Sequence, residues 1–247
     1  MYEYDEIAGS TTKYSMNLIY LVDVSGSMKK NEGERINQLN VAMTEAVQVA
    51  EETAIEREID LYMRVIKFNS KVEWLYGDVE KGVTHIDWKP LIAEGGTDTA
   101  EAIRCAKQVM RTKYLGERNY KPVVILITDG ESNEPNETIK AIEELKTSLK
   151  SSTGEAKDKI TRISIGVVDA NRSELESFAS IGNIERSDGT VEKNVPLVLS
   201  VSIDDLSMLK SLLKSVTVSS IMSATSAQDD DNVTTIVETK DDNEWAI

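Results

Sequence analysis

MNLIYLV, residues 16–22, is followed at once by DVSGS, residues 23–27, and this change of character decides the fold. An almost unbroken apolar run of this length is what a strand buried on both faces requires, and it stops at a carboxylate, Asp23. Beyond it the apolar residues recur as Ile36, Leu39, Met43, Val47, Ala50 and Ala54, with Glu45, Gln48, Glu51 and Glu52 on the opposite side. That spacing predicts a long amphipathic helix after the strand.

The same pattern repeats along the chain. Residues 59–68 and 71–76 read as strands separated only by Asn69 and Ser70, too few residues for a crossover helix, so they pair as an antiparallel hairpin at a sheet edge. Residues 100–111 form a helix with Ile103, Ala106 and Met110 on one face, just beyond Gly95-Gly96-Thr97. VVILIT at 123–128 is a second buried strand, again ended by an acid, Asp129. Pro135 opens a helix continued by Ile139, Ile142, Leu145 and Leu149. A strand at 159–168, a short helix at 173–181, a strand at 195–201 and a helix carrying Leu206, Leu209, Leu213 and Val216 complete the series. The expectation is an α/β, doubly wound (Rossmann-like), mostly parallel sheet with one antiparallel edge hairpin strand and helices on both faces. It divides the chain into an N-terminal extension (1–15), one domain (16–218) and a mobile acidic tail (219–247) rich in Ser, Thr, Asp and Asn, within which 233–237 and Trp245 are the elements able to dock.

Bulk properties narrow the function. The chain has 247 residues, 40% of them hydrophobic, enough for one sizeable core, and a formal charge of -15 that disfavours approach to a phosphate backbone and so excludes nucleic acid as partner. The single cysteine, Cys105, has no internal disulfide partner and reads as a small core residue on a helix. No run of about 18 apolar residues suggests a membrane span. Glu3, Asp5 and Glu6 stand where a secretory signal places positive charge, so the expected location is cytoplasmic.

In a doubly wound sheet, ligands bind outside the carboxyl ends of the strands. Three segments converge there: Asp23-Val24-Ser25-Gly26-Ser27, Gly95-Gly96-Thr97 and Thr128-Asp129-Gly130. They bring two carboxylates and the candidate hydroxyls of Ser25, Ser27 and Thr97 to one sheet edge without thiolate or imidazole. Such hard oxygen donors suit Mg²⁺ or Mn²⁺, whereas zinc prefers His or Cys. Alternation turns the side chains of residues 23, 25 and 27 to a common point, and Thr97 and Asp129 complete the set. Singly each piece has an ordinary reading as a helix cap or a turn. Asp98 and Glu101, three apart, are assigned to helix initiation.

Enzymatic constellations fit less well. His85, the only histidine, precedes Asp129, against the order of α/β-hydrolases, and Ser25 lacks the G-x-S-x-G elbow. Neither G-x-G-x-x-G nor the phosphate-cradling G-x-x-x-x-G-K-S/T follows the first strand. A Mg²⁺-dependent phosphatase or phosphotransferase would use Asp23 as nucleophile, but position 25 is Ser where a second acid is needed. Trp74 and Trp88 read as cover for the core or the sheet edge, with Trp88 near enough in sequence to Thr97 to line a rim. Glu131, Glu134 and Glu137 read as a solvated rim and helix start.

DVSGS at 23–27, Thr97 within GGTDT and Asp129 within ITDGE resemble the metal-ion-dependent adhesion site of von Willebrand factor A domains, D-x-S-x-S with a later Thr and Asp. The resemblance spans residues 16–216. It implies a binding module and not an enzyme, with Ser25 and Ser27 coordinating Mg²⁺ or Mn²⁺ through their hydroxyls and Thr97 doing so directly or through water. It implies that Asp23 and Asp129 act mainly through waters, leaving an open position for an Asp or Glu of a partner protein. The wording of DVSGSM and GGTDT looks like bacterial intracellular members, including those of tellurium-resistance and stress-response operons. A scaffold with a purely structural metal is the remaining alternative.

Overall fold

Strand β1 (Ser15–Asp23) lies between two parallel neighbours, β2 (Asp60–Phe68) and β4 (Val123–Thr128), and its inner residues are buried on both faces. In a computed structural model of the chain, residues 13–111, 118–149, 159–202, 205–226 and 233–238 are described. Because successive side chains in a strand point to opposite faces, Met16, Leu18, Tyr20 and Val22 join one apolar cluster and Ile19 and Leu21 the other. The first cluster includes Leu39, Met43 and Ala46 of helix α1 (Glu34–Glu56) and Leu209, Leu213 and Val216 of helix α5 (Leu209–Ser226). The second includes Ile103 and Ala106 of α2 (Thr99–Val109) and Ala141 and Ile142 of α3 (Pro135–Lys146). Tyr20 carries a hydroxyl into the first cluster, where it is 2.9 Å from Thr217 Oγ1 of α5, so the one polar tip on that face is satisfied.

The six-stranded sheet has the order β3-β2-β1-β4-β5-β8, with β3 (Val72–Tyr76), β5 (Thr161–Val167) and β8 (Val198–Val201). All pairs are parallel except β2–β3, the expected edge hairpin. From β1 the chain goes to one side for β2 and β3 and then crosses to the other for β4, so the order in which strands are added reverses between β1 and β4. The carboxyl ends of those two strands therefore open on the crevice where such sheets bind ligands. Among the described residues no helix is long and apolar enough to cross a membrane.

Three expectations need correction. The helix expected at 173–181 is shorter, α4 (Arg172–Phe178), and β6 (Ile181–Glu185) starts a second sheet, in which it lies between β7 (Val191–Pro196) and β9 (Thr235–Val237). The strand expected at 195–201 is two strands, because the chain changes sheet between β7 (Val191–Pro196) and β8. The domain does not end at 218: α5 continues to Ser226, and Thr235–Val237 forms β9, parallel to β6 with Ile236 fully buried. Serines and threonines are tolerated in this helix because Ser219, Ser220 and Thr225 satisfy their hydroxyls on carbonyls four residues back, at 2.7, 2.5 and 2.8 Å. The Ser215 hydroxyl donates instead to the Val237 carbonyl and pins β9 to α5. Residues 1–12 of the expected extension, and Trp245, lie outside the described residues.

Packing of Ile236 makes the boundary testable. Ile236→Ala should destabilise the protein by about 2 kcal/mol or more, the usual cost of emptying such a buried site. In a thermal melt of the full chain this reads as a fall of roughly 5 °C, whereas a detached tail would leave the midpoint unchanged.

Candidate metal centre

The backbone leaves β1 at Asp23 and folds back at once: Oδ1 of Asp23 accepts from the Ser25 amide at 2.7 Å, closing a tight turn on its own carboxylate. The turn brings Ser25 Oγ within 2.8 Å of Ser27 Oγ. Ser27 in turn donates to Oδ1 of Asp129 at 2.6 Å, across from the end of β4. Asp23, Ser25, Ser27 and Asp129 thus form one continuous hydrogen-bonded set, although Ser27 and Asp129 are far apart in sequence. Asp23, Ser25 and Asp129 are buried and Ser27 is half-buried, at the crevice mouth.

Thr97 is tied to the loop after β4 through its backbone and, among the described residues, shares no hydrogen bond with Asp23, Ser25, Ser27 or Asp129. Its carbonyl accepts from the Asn133 amide at 3.0 Å, tying its loop to the one after β4. Two further bonds stitch that loop to the turn after β1, Gly26 N to Gly95 O at 2.9 Å and Glu94 N to Val24 O at 2.8 Å. Gly95 sits at φ +78°, a conformation that favours glycine, and a Cβ on Gly26 would lie 3.1 Å from the Gly95 carbonyl. The β2–β3 turn holds the loop's far side, Ser70 Oγ accepting from Gly96 N at 2.7 Å and the Asn69 carbonyl from Asp98 N at 2.7 Å. Asp98 caps α2 by accepting from the Glu101 amide at 3.1 Å, the role read from their spacing.

Three participants were given no role in the sequence reading. Thr128, the last residue of β4, donates its hydroxyl to Oδ2 of Asp23 at 2.6 Å, so both oxygens of that carboxylate are engaged. Arg35, in the first turn of α1, donates to Oδ2 of Asp129 at 2.6 Å and to Oδ2 of Asp169 at 2.9 Å. The signal for Arg35 was present: it stands four residues before Leu39 and seven before Ala42, on the buried stripe of the helix. Asp169 follows β5, and the preceding Val168 has φ +58°, rare for a β-branched residue.

The electrostatics of the two acids differ. Asp129 has a guanidinium partner. Asp23 has neutral donors, and burial pushes its carboxyl up to about 6 against the hydrogen bonds from Thr128 and Ser25. A buried carboxylate held by a hydroxyl and an amide, beside two clustered serine hydroxyls, is the donor set a hard divalent cation fits, and the cation would offset the same burial. Among the described residues no three His, Cys, Asp or Glu side chains group as a metal site, so any ion here relies on hydroxyls.

The other residues weighed from sequence are engaged elsewhere. His85 is exposed and pairs with Glu51 of α1 at 2.8 Å. Trp88 donates to Asn40 Oδ1 at 3.2 Å and packs against Tyr76, so it braces the chain against α1. Cys105 is half-buried on α2, and burial raises its thiol to about 11, which leaves it protonated at neutral pH. Glu137 bridges Arg104 and Lys140 on the surface.

No curated protein sequence matches the chain. Solved structures do: proximal thread matrix protein 1 from the mussel byssus, at 20% identity and a TM-score of 0.57, with 84% of this chain and 48% of that one covered. A form of the same mussel protein described as having a zinc-occupied MIDAS motif matches at 20% identity and 0.56, covering 82% and 48%. A von Willebrand factor type A protein from Catenulispora acidiphila matches at 19% and 0.56, covering 84% and 42%. The chain therefore spans about half the length of these structures or less, and at such identities the likeness is one of fold. The family model of the von Willebrand factor type A domain matches residues 17–195, and the chain belongs to that family.

Proposed function

We propose that this domain is a divalent-cation-dependent docking module in which Asp23, Ser25, Ser27, Thr97 and Asp129 hold Mg²⁺ or Mn²⁺ for an acidic side chain of a partner protein. The observation that carries the reading is the hydrogen-bonded set of Asp23, Ser25, Ser27 and Asp129 at the switch point of the sheet. Ser25 and Ser27 would offer hydroxyl oxygens to the ion, Thr97 would add a third from the stitched loop, and the two carboxylates would balance its charge. When bound, the ion supplies an electrophilic position to a carboxylate from outside. The chain's own contribution is to hold the donors close while its two acids stay in hydrogen bonds and an ion pair.

The engagement of Asp23 weighs against phosphotransfer. A nucleophilic carboxylate needs an accessible oxygen, and here Asp23 is fully buried, with Oδ1 accepting from Ser25 N and Oδ2 from Thr128 Oγ1. The net charge of -15 fits a protein partner better than a nucleic acid. The motif wording supports a cytoplasmic setting in a bacterial stress or tellurium-resistance assembly, which partner capture with and without chelator tests.

Calorimetric titration of the purified chain with Mn²⁺ and Mg²⁺ should show one site. Asp23→Ala and Ser25→Ala should each weaken it by about tenfold or more, the range typical of altered metal ligands and their supports. Equal binding by wild type and both variants would remove the site. Phosphate-ester hydrolysis abolished by Asp23→Asn, without any chelator-sensitive partner, would transfer the assignment to an enzyme. A chelator-induced fall in melting temperature that leaves partners bound would mark the ion as structural. Gly26→Ala should push the Gly95 carbonyl and the loop bearing Thr97 outward, weakening Mn²⁺ severalfold with the fold intact, as circular dichroism and the same titration would report.

A further inference from the structure

Arg35 is a charged group buried in the site that the motif does not include. Its side chain is 4% exposed and the carboxylate of Asp129 is fully enclosed, so their 2.6 Å contact is a buried ion pair. Its second terminal nitrogen reaches Asp169, whose side chain is 67% exposed, at 2.9 Å. Its Nε is buried without a hydrogen-bond partner among the described residues. An arginine that accepts such an orphan is held for its charge and its two terminal contacts. The chain also adopts a left-handed Val168 immediately before Asp169.

Resting on the metal-binding reading above, we propose that Arg35 is a resident counter-cation of the site, which stabilises the ion-free pocket and lowers its affinity for a divalent cation. Without an ion, the enclosed Asp129 requires a positive neighbour, and Arg35 supplies it. With an ion, the guanidinium stands one carboxylate away from the incoming charge and opposes it. Among the buried groups, two carboxylates and one guanidinium leave a single negative charge, since Asp169 is largely screened by water. A divalent ion then leaves the centre positive, where a centre without Arg35 would be neutral. The surplus favours an external carboxylate, so Arg35 trades affinity for the ion against affinity for the acidic partner.

The experiment uses Mn²⁺ alone as probe on the full chain, by calorimetry and by melting with chelator or with Mn²⁺. Arg35→Met should bind Mn²⁺ about tenfold more tightly, the scale expected from removing a unit charge several ångströms away in a partly buried site. Its melting temperature in chelator should fall, and Mn²⁺ should restore more of it than in wild type. Arg35→Lys, which keeps the charge, should stay within a few-fold of wild type. Asp169→Asn changes an exposed residue and so preserves the fold; by releasing the full guanidinium charge onto Asp129 it should weaken Mn²⁺ binding. Tighter binding by Arg35→Met with weaker binding by Asp169→Asn supports the assignment. Binding by a folded Arg35→Met no tighter than wild type overturns it, as does an Asp169→Asn that binds as well as wild type should Arg35→Met not fold. Failure of wild type itself to bind Mn²⁺ removes instead the reading on which this one rests.

Discussion

Two carboxylates, Asp23 and Asp129, are buried side by side where β1 and β4 end, and that constraint organises everything around the crevice. Like charges withdrawn from water repel and lose solvation together, so the fold must return donors to each oxygen. It does so with local groups of fixed geometry: the Ser25 amide and Thr128 hydroxyl on Asp23, the Ser27 hydroxyl and Arg35 on Asp129. Most of these donors belong to a strand end or the turn just beyond it. The acids can therefore stay enclosed only if β1 and β4 are neighbours in register, which their parallel pairing from Leu18 with Val123 to Val22 with Ile127 provides. Sheet topology and site chemistry are one requirement.

The parts of this arrangement that the sequence disclosed are those in which one local signal suffices. A strand covered on both faces needs a continuous apolar run, and 16–22 and 123–128 have it; an acid at the end of each marks the crevice. Four of the five proposed ligands sit in those turns, and the fifth follows two glycines that permit the loop's bend. Arg35 was passed over because a cation at a helix start is ordinarily solvated, although its register with Leu39 and Ala42 placed it inward. The tail was misjudged for a related reason: composition counts Ser and Thr as polar, yet in α5 their hydroxyls are absorbed by the helix's own carbonyls. Strand β9 has three residues and pairs across a long sequence separation with β6, a strand that precedes α5, a relation no local period can express.

Long-range and short-range electrostatics act in opposite senses on this protein. The formal charge of -15 repels acidic partners at a distance, but surface charges are screened over about 8 Å at physiological salt. Within that range the enclosed groups of the crevice dominate, in a medium less polarisable than water. Under the docking reading, an acidic partner residue is drawn in only at contact, and selectivity falls to the few ångströms around Ser25, Ser27 and Thr97.

What the motif specifies and what the fold adds are therefore separable. Under the docking reading, the D-x-S-x-S turn, Thr97 and Asp129 define which oxygens would meet an ion; the strength with which they would hold it depends on charges delivered from elsewhere, here from the first turn of α1 and the loop after β5. Those positions set the charge of the site without supplying its hydroxyl donors, because Arg35 reaches the set through one oxygen of Asp129 while Ser27 occupies the other. Two domains with identical motif residues can then differ in cation affinity by what stands behind the second carboxylate. Reading such a site from its motif alone identifies the donors and leaves their net charge undetermined, and it is the net charge that decides whether the pocket closes on an ion or holds its form without one.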